Sequence, residues 1–111
     1  MPDSLPLDIP DNELTGTPGQ LDWAKLIRPR VAAEFDRVAA AFHAVAATQT
    51  GVRRADTLAV IAILQEKRVE VLAHRAAGYY IRDWRELNDQ VRRIIADDPA
   101  YQAIQTGRKR A

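Results

Sequence analysis

The chain has 111 residues, 47% of them hydrophobic and 28% charged, with a net charge of +1 and no cysteine. That length gives one domain with one modest core, and the missing thiols exclude disulfides, thiolate catalysis and Cys-based zinc sites. No apolar run approaches the ~18–20 residues of a bilayer span, and the N-terminus lacks the basic start and apolar stretch of a secretory signal, so a cytoplasmic chain with no membrane span is expected.

Residues 1–20 form an arm of their own. They contain Pro2, Pro6, Pro10 and Pro18 and carry a charge of −4, against +5 for residues 21–111. The prolines oppose helix and central strand, so the arm is expected to be extended or disordered. A solubilising tail is the plain reading. The functional alternative is docking of Leu5, Leu7 and Ile9 on a groove, as extended peptides do.

The first helix is expected to open at Asp22 as N-cap and to run to about Thr48, with Gly51 as the stop signal beyond it. Pro29 lies inside this stretch and predicts a kink or break near Lys25–Arg30. Val31, Phe35, Val38, Phe42 and Val45 alternate steps of four and three, and Trp23 and Ile27 lead into them by steps of four. This heptad seam predicts an apolar stripe that buries Phe35, Val38 and Phe42 and that a partner helix, from this chain or a second copy, covers. Ala32, Ala39 and Ala46 flank it, with Ala33, Ala40 and Ala47 one step further round, so a neighbour is expected to approach closely.

A second helix is expected from Asp56 to about Arg75, burying Leu58, Ile61, Leu64 and Leu72 with Val60 and Val71. Gln65 and Arg68 interrupt its apolar face, so two strands around Gln65–Arg68 are the alternative. Ala59, Ala62 and the absence of a Gly or Asn turn favour helix. Gly78 then predicts an interruption, followed by an aromatic link through Tyr79 and Tyr80. Asp83 with Glu86 resembles a capping box for a third helix carrying Trp84, Leu87, Val91 and Ile94. Pro99 suits the first position of a short last helix ending near Thr106, where Gly107 stops it. Residues 21–106 thus predict an all-α domain, a helical hairpin or small bundle of three to four helices, between the arm and a basic end at 107–111.

Catalytic candidates are scarce. Ser4 is the only serine, it lies in the arm, and the five glycines match neither a P-loop nor a dinucleotide fingerprint. Glu66, Glu70 and His74 fall at i, i+4 and i+8, but eight residues rise ~12 Å along a helix, too far for one metal to take all three. Neither an enzyme, a cofactor nor a metal site is expected. Arg92, Arg93 and the Arg108-Lys109-Arg110 end raise nucleic acid as a partner, since clustered cations replace counterions on phosphate. Against it, Arg82 and Glu86, Arg85 and Asp89, and Asp89 and Arg93 are spaced as ordinary i,i+4 ion pairs on a solvated face. The leading expectation is a non-enzymatic interaction protein, a homo-oligomer or accessory subunit that binds itself or another protein. A small nucleic-acid-binding regulator is the alternative.

Overall fold

The computed structural model describes residues 14–84 and 90–110, the side chains of 108–110 excepted. Among these residues the chain is all-α, with five helices: α1 (Pro18–Ala46), α2 (Gly51–Leu72), α3 (Ala77–Asp83), α4 (Gln90–Ala96) and α5 (Pro99–Arg110). None is long and apolar enough to cross a membrane.

α1 starts four residues before the expected Asp22 cap. Thr17 Oγ1 accepts from the Gln20 backbone N–H at 3.2 Å and Gln20 Oε1 accepts from the Thr17 N–H at 3.0 Å, a reciprocal capping box with Pro18 at the first helical position. Pro18 therefore opens a helix where it was expected to belong to the arm, because the first turn has no use for the N–H that proline lacks. Pro29 stays inside one continuous α1, on its exposed side.

α1 ends at Ala46, capped by Ala47, whose N–H bonds to His43 O at 3.0 Å. Gly51 does not stop it. At φ +61°, a left-handed conformation, Gly51 opens α2 instead, and the short turn folds α2 back along α1 as a hairpin. Residues 58–72 are helical, so the two-strand alternative falls. α2 buries Thr57, Val60, Ile61, Ile63, Leu64, Arg68, Val71 and Leu72, while Leu58 is exposed. Thr57 takes the inward place expected of Leu58, its hydroxyl satisfied by Gln49 Oε1 at 2.6 Å with the Arg53 carbonyl at 3.1 Å. Arg68 is tolerated on the same face because its guanidinium pairs with Asp36 of α1, Nη2 donating to Oδ2 at 3.4 Å while Nε lies 3.1 Å from Oδ1.

Gly78 lies within α3, and Asp83 ends that helix rather than capping the next; Glu86 lies outside the described residues. What starts α3 is long-range. Thr15 N–H donates to Arg75 O at 2.7 Å and Ala77 N–H to Thr15 O at 2.8 Å, a parallel bridge that pins the segment before α1 to the start of α3. Gly16, at φ +150°, sits against this bridge, and a Cβ there would lie 2.8 Å from Gln20 Oε1 and 3.1 Å from Ala77 Cβ. Gly16→Ala should lower stability by ~1–3 kcal/mol in urea melts, through backbone strain and a displaced capping box; a change within ~0.5 kcal/mol, the range of an ordinary surface substitution, would show that the bridge yields freely.

Asp98 caps α5, its Oδ1 accepting from the N–H groups of Ala100 at 2.8 Å and Tyr101 at 3.4 Å. Its Oδ2 pairs with Lys67 Nζ of α2 at 3.0 Å. The Lys67 hydrogen bond, helped by the two backbone N–H groups, holds the Asp98 carboxyl below its ordinary range. α5 continues through Gly107 to Arg110, crossing the expected boundary at 106, since a helix tolerates one glycine at a modest loss. The core joins Val31, Phe35 and Val38 of α1 to Val60, Leu64 and Leu72 of α2, with Tyr80, Trp84 and Val91 closing it from the far side.

Candidate interaction surface

The heptad seam divides in three. Val31, Phe35 and Val38 are buried in the chain's own core, Ile27 and Phe42 are half-buried, and Trp23 and Val45 are exposed, at 63% and 48%. The centre of the seam is therefore covered within the chain itself: Phe35 and Val38 are buried as expected, and Phe42 is less covered than expected. The reason is angular. Each step of four turns a straight helix roughly 40° past a full turn, so the three such steps from Trp23 to Phe35 place them roughly 120° apart. The inward stripe runs instead through Ala24, Arg28, Val31, Ala32, Phe35, Val38 and Ala39.

Trp23 stands with Leu26, itself 59% exposed, on the outer face of α1. Trp23, Ile27 and Arg30, at i, i+4 and i+7, share one side of the helix and line a groove of about 390 Å³ with Ile81 from α3. α3 brings Ile81 there because the Thr15 bridge and buried Tyr80 dock its first turns against α1. Among the described residues three apolar side chains and one cation line the groove, and no carboxylate pairs with Arg30. Such a surface can take up apolar side chains and orient an anionic neighbour. Leu26 and Ile81 were missed in the sequence. Leu26 could have been found from its i+3 spacing to Trp23, whereas nothing local marks Ile81.

The remaining site residues are scattered. Leu5, Leu7 and Ile9 lie outside the described residues. Arg92 and Arg93 are exposed on α4, and residues 108–110 form the last turn of α5. Arg92 adds to the field that keeps the Glu34 carboxyl below its ordinary range, which the Arg37 hydrogen bond mainly sets. Arg82 pairs with Asp83 at 3.4 Å; Glu86, Arg85 and Asp89 of the expected i,i+4 pairs lie outside the described residues. α2 ends before His74, whose ring instead stacks on Tyr79 at 3.7 Å, and no three His, Asp or Glu side chains converge as metal ligands among the described residues. A larger depression, about 710 Å³, lies between the start of α2 and the middle of α5, bordered by Val52, Arg53, Asp56 and Ile104.

Compared with family models, curated proteins and solved structures, the chain matches none.

Proposed function

We propose that this chain is a non-enzymatic helical interaction protein, a homo-oligomer or an accessory subunit of a larger assembly, that engages its partner through Trp23, Leu26, Ile27 and Ile81. The observation that carries the reading is the exposure of Trp23 and Leu26, 63% and 59%, beside a groove, in a chain whose core closes without them. Apolar area gains about 25 cal/mol per Å² on leaving water, and Trp and Arg are the side chains that most often dominate interface energetics. Sedimentation velocity over a dilution series tests it. Self-association is expected for the natural chain and is lost in the Trp23→Ser, Leu26→Ser double variant, whose urea midpoint stays unchanged because both side chains are outside the core. A natural chain that remains monomeric at every concentration removes the homo-oligomer and leaves the accessory subunit.

The competing reading, a small nucleic-acid-binding regulator, draws on the exposure of Arg92 and Arg93. It requires duplex affinity that falls steeply with salt, by about 0.9 in log–log slope for each phosphate neutralised.

A further inference from the structure

We infer that the outer face of α1 pairs with the same face of a second copy, antiparallel and two-fold symmetric about Leu26, so that each Trp23 seats in the partner's groove and each Arg30 faces the partner's Asp22. The inference rests on the reading of this face as the interaction surface and deepens it by naming the occupant.

The face carries its own complement. Trp23 and Leu26 are 63% and 59% exposed, and Gly19, Asp22, Arg30 and Ala33 are exposed around them. Asp22 and Arg30 stand four residues before and after Leu26, and neither forms an ion pair among the described residues. In a two-fold antiparallel pair, a residue after the centre lies level with the residue equally far before it in the partner, so both Arg30 side chains come level with the partner's Asp22. A parallel pair would set Arg30 against Arg30 and Asp22 against Asp22, which like-charge repulsion opposes. The two charges thus select the antiparallel arrangement, and the symmetry uses each of them twice.

The groove gives a second argument. Arg30, Trp23 and Ile27 lie roughly 40°, 60° and 100° round the helix from Leu26, all toward the same side. A two-fold axis perpendicular to both helices preserves that side. The partner's Trp23, level with Pro29, therefore arrives over the groove of about 390 Å³ that Ile27, Arg30 and Ile81 line. There its indole covers apolar walls and lies beside the Arg30 guanidinium, a cation attracted to the face of such a ring. At the ends of the contact Gly19 comes level with the partner's Ala33, two small residues that let the helices approach closely.

Sedimentation equilibrium of full-length variants tests the pairing. Asp22→Arg alone and Arg30→Asp alone should each raise the dissociation constant roughly tenfold or more, because each sets like charges together at both ends of the contact. Mixing the two single variants should restore association as a heterodimer, and both substitutions in one chain should restore self-association, rescues that a damaged fold could not give. In isotope-filtered spectra of mixed labelled and unlabelled natural chains, the Trp23 ring of one copy should contact the Ile81 methyls of the other. Single variants that associate as tightly as the natural chain overturn the inference, and so does a mixture no tighter than its components or an associated state without the Trp23–Ile81 contact. In each of these cases the interaction surface itself still stands or falls on the Trp23→Ser, Leu26→Ser variant. A natural chain that is monomeric at every concentration also overturns the inference, and leaves the accessory subunit.

Discussion

Phe35→Ala is expected to lower the free energy of unfolding by ~3–5 kcal/mol, and Phe42→Ala, seven residues along the same seam, by only about 1–2 kcal/mol. Phe35 is 1% exposed and its ring lies 5.9 Å from that of Trp84, tilted by 49°, whereas Phe42 is half-buried at the edge of the core. Removing the Phe35 ring leaves a cavity beside Trp84 in the core shared by both long helices, and Trp84 is itself fixed by its indole N–H donation to the Tyr79 hydroxyl at 3.0 Å. Urea melts of the two single variants measure the difference, and a double-mutant cycle between Phe35 and Trp84 should give a coupling of ~0.5–1.5 kcal/mol beyond area burial. Equal losses at Phe35 and Phe42 would restore the uniform heptad seam and overturn the inward stripe described above.

The second large effect is expected at Arg28. Arg28→Ala should destabilise the fold by ~2–3 kcal/mol, the range for a hydrogen bond from a charged donor. Arg28 lies on the inward face of α1, 7% exposed, and donates through Nη2 to the carbonyl of Leu72, the last residue of α2, at 2.5 Å. Its guanidinium also stands 6.0 Å from the centre of the Tyr80 ring, and the Tyr80 hydroxyl lies between the carbonyls of Val71 and His74, at 2.9 and 2.8 Å. Helices end in carbonyls without intrahelical partners and with negative partial charge; here a cation from α1 and a phenol from α3 supply the donors, so three elements meet at one terminus. Tyr80→Phe should be milder, about 1–2 kcal/mol at neutral pH.

Tyr80 also gives this cluster a pH signature. Burial pushes its phenol above the ordinary value of 10.0, against the opposing field of Arg28. A group whose folded pKa is raised contributes stability that is fully present below its unfolded pKa and lost as pH rises through the folded value. The natural chain should therefore weaken above about pH 10, and Tyr80→Phe should flatten that decline. Some slope remains, because burial raises Tyr79 as well and the Asp98 hydrogen bond raises Lys67. Urea midpoints from pH 7 to 11 check both claims; an alkaline slope identical in Tyr80→Phe would remove Tyr80 from the account.

The local signals that act within one turn were already present in the residues. Helical spacing with Ala59 and Ala62 settles residues 58–72 as helix, and Pro99 opens α5 as its position implies. Thr17, Pro18 and Gln20 likewise carry the whole α1 start, although proline counting alone assigns them to an arm. The inward face of α1 is a different matter. Periodicity defines stripes on a helix, but which stripe turns inward depends on where α2, α3 and α4 lie, and those positions follow from contacts such as Arg28 with Leu72, Arg68 with Asp36 and Phe35 with Trp84, 32 to 49 residues apart in the chain. Asp83 shows the same limit. An Asp before Trp84 satisfies every local rule for opening a helix, yet it closes α3, because the Thr15 bridge has already started a helix at Ala77. The candidate surface was half legible for this reason: Trp23 and Ile27 announce an apolar α1, but only the packing of α3 against α1 leaves Trp23 and Leu26 outside and brings Ile81 beside Ile27.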